Sequence, residues 1–132
     1  KRPTRGFHTY KGGLLNVMPK TPEESQKAKA NNENSPLLRL PRELRDRIWS
    51  EALGGQTFNV KGVGHRSPAS FDGGSNAISL LRTCRQIYSE TALIPYKTSV
   101  FHGGYYLRKL CHALRKIKPA LRQHINTISI SV

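Results

Sequence analysis

The chain has 132 residues, with 22 Lys and Arg against 8 Asp and Glu, a formal net charge of +14 and two cysteines. That length suits one domain. Two cysteines make no disulfide scaffold, and no apolar run approaches the roughly 18 residues that a membrane-spanning helix needs.

Lys1 to Lys11 is basic and polar, with no apolar stretch behind it of the kind a secretory signal carries. The expectation is an intracellular protein, nuclear or cytoplasmic. Residues 1–35 hold seven basic residues, three acids and few large apolar side chains, and read as a basic, largely flexible arm and linker. Within it, Gly12 to Met18 is apolar enough to dock on the domain. Residues 19–35 read as linker, with Pro22-Glu23-Glu24 as an acceptable start for a short helix to Ala30. The folded domain is expected over 36–132.

Helix one is predicted over about 41–53. Pro41 sits at a first helical position, Leu44, Ile48 and Ala52 recur every four residues with Leu53 widening the face, and Gly54-Gly55 ends the helix. Thr57 to Val63 alternates like a short strand, and Gly64 to Asn76 reads as a long loop whose only large apolar residue is Phe71. Helix two is predicted from Ser79 to about Ile94. Leu80, Leu81, Cys84, Ile87, Tyr88 and Thr91 lie on its apolar face, and Pro95 stops it. Lys97 to His102 reads as a second strand.

Helix three is predicted from about Tyr105 to Lys118 on the stripe Leu107, Leu110, Cys111, Leu114 and Ile117. A further turn starts at Pro119. Asn126 to Val132 alternates strictly, the pattern of a half-buried strand, and the domain is expected to continue past it. The fold class that results is α+β, a small core of about three helices with a sheet of about three short strands.

Catalytic chemistry is poorly supplied. Only Asp72 lies between Glu51 and Glu90, and no acid follows Glu90, so paired carboxylates for hydrolysis are absent from the C-terminal third. No nucleophile elbow and no phosphate-binding loop occurs. His102, Cys111 and His112 invite a zinc reading, but Cys111 belongs to the apolar stripe while His112 faces away, and a fourth ligand is missing. No enzyme, cofactor or metal is expected.

Two motifs stand out: Leu40-Pro41-Arg42-Glu43-Leu44-Arg45-Asp46-Arg47-Ile48-Trp49, and Leu80-Leu81-Arg82-Thr83-Cys84-Arg85-Gln86-Ile87-Tyr88-Ser89-Glu90. Together, and in this order, they resemble the F-box-like domains numerous in filamentous fungi. The aromatic segment Tyr96 to Phe101 matches the strand that follows in that family, so the likeness covers about residues 36–132. It implies a helical protein-interaction domain whose first-helix region, Leu40, Pro41, Leu44, Arg45, Ile48 and Trp49, docks a protein partner. The adaptor of ubiquitin ligases is the partner of true F-box modules. The departure is one of spacing. Here 24 residues, Gly54 to Ala77, separate the two helices, which follow one another closely in true F-boxes.

Beside this stand the readings from the residues alone. Arg45 and Arg85 are expected to pair with Glu90 or Glu43 and to fix helix one on helix two. Cys84 reads as a small buried hydrophobe. Trp49 is either core or an exposed anchor.

Charge supplies the alternative. Residues 91–132 contain Lys97, Arg108, Lys109, Arg115, Lys116, Lys118 and Arg122 and no acid. Arg108, His112 and Arg115 share one side of helix three, flanked by Lys109 and Lys116. A basic helix with a basic arm is a nucleic-acid footprint that works through phosphates without reading sequence. Stacking on bases needs exposed aromatics, for which Tyr105 and Tyr106 are candidates, one of them expected to be buried.

Overall fold

The computed structural model describes residues 8–61, 69–73, 76 and 78–132. Its α-helices are α1 (Pro22–Asn34), α2 (Arg42–Leu53), α3 (Arg85–Thr91), α4 (Ile94–Thr98), α5 (Leu107–Lys116) and α6 (Pro119–Arg122), with a 3-10 turn at Ser79–Arg82. The strands are β1 (Thr57–Lys61), β2 (Ser70–Asp72), β3 (Val100–His102) and β4 (Thr127–Ser129), in the sheet order β2-β1-β3-β4. The class is α+β.

β1 pairs antiparallel with β2 and parallel with β3, and β3 pairs parallel with β4. Parallel neighbours need long crossovers. Here α5 and α6 form the one between β3 and β4. Register places Phe58, Phe101 and Ile128 side by side on one sheet face, and Asn59, His102 and Ser129 on the other. α5 packs against β1 and β2. Where β3 ends, Gly103 lets the backbone pass tightly under α5: a Cβ there would lie 2.7 Å from Leu110 Cδ2.

Two apolar clusters hold the chain. Leu38, Trp49 and Ile87 join α2 to α3, with Leu37, Leu80, Cys84 and Ile94 packed around them. The second is aromatic and lies on the sheet. Phe101 stacks on Phe58 at 5.3 Å, meets Phe71 edge-on at 4.9 Å and lies parallel to Tyr96 at 6.4 Å.

Several expectations are corrected. Helix two is not continuous. Cys84 is extended and caps α3, so the segment splits into the 3-10 turn, α3 and α4. Pro95 does not stop a helix but sits in the first turn of α4, where its missing N–H costs nothing. Because α4 runs to Thr98, the second strand is confined to Val100–His102. Phe71, read as loop, lies in β2, a fourth strand. The face of α2 that is buried carries Trp49 and Leu53, not Leu44, Ile48 and Ala52, which are exposed. Cys111 and Leu107 also leave the buried stripe and are exposed on α5.

The stretch read as linker contains α1, capped by Thr21, whose hydroxyl accepts the Glu24 N–H. The segment before it docks, although the arm as a whole was expected to be largely flexible. The Leu15 N–H donates to the Tyr88 hydroxyl at 2.9 Å, and Arg85 donates to the Val17 carbonyl at 3.1 Å. Residues 1–7, and the parts of the Gly64 to Asn76 loop at 64–68, 74 and 75, lie outside the described residues, as do Gly62 and Val63 of the predicted strand.

Candidate functional site

The inner side of α2 is organised by one carboxylate. Glu90 of α3 has a side chain only 6% exposed. Its oxygens accept from Arg45 Nη2 at 2.8 Å and Nε at 3.1 Å, from Trp49 Nε1 at 2.9 Å and from Gln86 Nε2 at 3.1 Å. Burial alone would push this carboxyl up. The hydrogen bonds from Arg45, Trp49 and Gln86, with the Arg45 charge, outweigh burial and bring it down to about 2. Arg45 also donates to the carbonyls of Leu38 and Leu40, so it ties the turn before α2 to the same point. Of the open pairings, Arg45 therefore takes Glu90. Arg85 goes elsewhere, to Glu24 at 2.9 Å and to the arm. That salt bridge and the Lys20 backbone N–H hold Glu24 below the ordinary carboxylate range, the N–H being the larger influence.

This settles two of the six residues expected to dock a partner. Trp49 is core, 1% exposed, and the Arg45 guanidinium is engaged, so neither presents itself. Leu40 is half-buried. Pro41, Leu44 and Ile48 are different: they lie on a flank of α2, roughly a quarter turn round the axis from Trp49, and Leu44 and Ile48 are 47% and 37% exposed. Locking the inner side of the helix leaves this flank as a rigid apolar ridge beside the charged outer side of Glu43, Arg47 and Glu51. Spacing picked out Leu44, Ile48 and Ala52 as the face and left Trp49 open; the indole with its polar handle is what went inside.

On α5, Arg108, His112 and Arg115 share the outer face and are exposed, as are Lys116 and Lys118. Lys109 is half-buried and rests over the Tyr106 ring at 5.0 Å. Arg122 is spent on the Leu114 carbonyl at 3.3 Å and does not belong to the basic face. Tyr105 and Tyr106 are both exposed, contrary to the expectation that one is buried.

The nitrogens of His102 face the hydroxyls of Ser129 at 2.7 Å and Ser131 at 3.3 Å, which ties β3 to the last strand. Among the described residues, no group of three or more His, Cys, Asp and Glu side chains is placed to hold a metal ion, and no helix is long and apolar enough to cross a membrane.

No protein-family model matches the chain, and no curated protein or solved structure matches it.

Proposed function

We propose that the chain is a non-catalytic, F-box-like interaction module that docks a protein partner through the exposed apolar flank of α2. The observation that carries this reading is the exposed row Pro41, Leu44 and Ile48 on one flank of a helix whose inner side is anchored by Glu90. A rigid apolar ridge loses little side-chain and backbone freedom on binding, so its burial is converted efficiently into affinity. The resemblance of the two motifs to F-box-like domains supports the same face and names the ubiquitin-ligase adaptor as the first partner to test. Purified adaptor should be retained by the native chain and lost on Leu44→Asp with Ile48→Asp, while the unfolding midpoint stays put. Failure of the native chain to retain it overturns the adaptor assignment.

A second reading is nucleic-acid binding by the outer face of α5. It is favoured by the exposed Arg108, His112 and Arg115 beside two exposed tyrosines. Binding of this kind weakens steeply with salt and is removed by Arg108→Glu, Arg115→Glu and Lys116→Glu together. Unchanged affinity in that variant counts against it.

A further inference from the structure

The aromatic cluster on the sheet does not fill the space around it. Phe58, Phe71, Phe101 and Tyr96 line a cleft of about 310 Å³ together with Lys116, the last residue of α5. Phe101 and Phe58 are its buried floor, and Phe71 and Tyr96 are half-buried walls. Ile78, just before the 3-10 turn, stands exposed on the rim. An apolar cavity of about 150 Å³ holds one benzene ring. This cleft has about twice that room, enough for a fused two-ring body. Its volume lies at the lower end of the range for small-molecule sites, about 300–1,000 Å³.

Charge decides what such a body should carry. Among the described residues that line the cleft, Lys116 alone is charged. Asp72, the acid next to Phe71, falls on the other face of β2 by alternation and pairs with Lys61. Among the described residues, neither the Lys116 ammonium nor the Tyr96 hydroxyl has a hydrogen-bond or ion-pair partner. Burial, with Tyr88 nearby, pushes the Tyr96 hydroxyl above the ordinary phenol range, so it keeps its proton at neutral pH and can donate. Aromatic walls with a few spare polar groups are the make-up of a ligand site. Such walls also suit a cation, but Lys116 repels one.

We infer that this cleft is a binding site for a small aromatic carboxylate with a two-ring body. The rings lie among Phe58, Phe71, Phe101 and Tyr96, offset or edge-on to them. The carboxylate stays at the mouth on the Lys116 ammonium, with the Tyr96 hydroxyl as a second donor. A neutral molecule of the same shape gains the walls but not the ammonium. The cleft shares no residue with the exposed flank of α2, so the inference stands apart from the proposed function.

The test titrates the full, isotope-labelled chain with naphthoate and follows its amide resonances. Naphthalenemethanol and naphthalenemethylamine, neutral and cationic bodies of the same shape, serve as comparisons. Naphthoate should bind most tightly and the amine least, with shifts centred on Tyr96, Phe101 and Lys116. Lys116→Met keeps the apolar stem and removes the charge. It should weaken naphthoate about fivefold, the upper end for an exposed ion pair, and leave the alcohol unchanged. Ile78→Trp should fill the mouth and abolish binding of both. Both positions are exposed, so circular dichroism should be unchanged. If Ile78→Trp fails to fold, Lys116→Met carries the test by itself.

Four results overturn the inference: no shift at the lining amides with millimolar naphthoate, equal affinity for the three probes, naphthoate binding that ignores Lys116→Met, or shifts confined to Arg108, His112 and Arg115. The last would place the anion on the outer face of α5, where surface charge alone holds it.

Discussion

The indole N–H of Trp49 donates to Glu90 Oε2 at 2.9 Å, across 41 positions of sequence. The buried tryptophan of α2 thus meets the buried carboxylate of α3. A buried carboxylate is costly unless its lone pairs are filled, and this one draws on three donor residues, one of them charged. The pair sets the rotation of α2 about its axis, and with it which residues face outward. The recognition proposed for Pro41, Leu44 and Ile48 would therefore depend on how Trp49 and Glu90 pack.

Acid should therefore unfold this protein through Glu90. Its carboxyl stands at about 2 in the folded chain against an ordinary 4.5. The folded state holds the proton less tightly than the unfolded one. Stability is complete above pH 4.5, declines as pH falls from 4.5 towards 2, and the contribution is gone below 2. The gap is worth on the order of 3 kcal/mol. Urea unfolding measured across that window should show the slope, and Glu90→Gln should flatten it. The same variant should lose about 3 kcal/mol at neutral pH, because Arg45 keeps a buried charge without its counterion. An unchanged slope in Glu90→Gln would show that another carboxylate controls acid unfolding.

The docked arm makes a separate prediction. Polar contacts that hold it include Leu15 N–H to Tyr88 and Arg85 to the Val17 carbonyl. Tyr88→Phe with Arg85→Ala should speed amide exchange of Leu15 substantially, by releasing the arm. Global stability should fall by no more than about 1 kcal/mol, the worth of such partly exposed contacts. Exchange at Leu15 that remains as slow as in the native chain would mean that apolar packing of the arm, not these bonds, holds it.

Much of the architecture was legible in local signals. The proline, the four-residue spacing and the paired glycines delimited α2 to within a residue, and the alternation of Ile128 and Ile130 marked the last strand. What periodicity could not give was the choice between two competing faces. α2 offers Leu44, Ile48 and Ala52 on one side and Trp49 with Leu53 on another. The decision came from Glu90, a residue far away in sequence that satisfies the indole. α5 posed the same problem: Leu107 and Cys111 belong to the spaced stripe with Leu110 but lie at its outer edge, and the residues buried are Leu110 and Ala113. The break at Cys84 was hidden because its neighbours carry helical spacing on both sides, and Phe71 looked like loop because its strand partner, Val60, lies across a connection rich in Gly, Ser and Pro.

Gly103 and Gly104 are adjacent and should respond differently to alanine. At Gly103 the new Cβ would lie 2.7 Å and 2.9 Å from Leu110 Cδ2 and Cβ, so α5 must move off the sheet or Leu110 must change rotamer. Overpacking of this kind costs about 1–3 kcal/mol. Gly104 has open space around it but sits at φ +58, where alanine costs about 1 kcal/mol of backbone strain. A double-mutant cycle separates the two mechanisms: Leu110→Ala should couple to Gly103→Ala and be additive with Gly104→Ala. Additivity in both cycles would place the cost at Gly103 in the backbone.

Ser99 should be a stabilising site. Its side chain is 1% exposed at the junction of α4 and β3, and its hydroxyl oxygen has no hydrogen-bond partner among the described residues. A hydroxyl taken out of water without a partner costs about 1–3 kcal/mol. Alanine removes the polar atom and leaves a gap smaller than a methyl group, so Ser99→Ala should raise stability by about 1 kcal/mol. Thr98 next to it provides the control. Its hydroxyl donates to the Ile94 carbonyl at 2.8 Å from an exposed position, so Thr98→Ala removes a satisfied bond and should lower stability slightly. Thermal unfolding of the two variants in parallel should therefore move in opposite directions. A fall in both would mean that the Ser99 hydroxyl is bonded in solution, and that the α4–β3 junction depends on it.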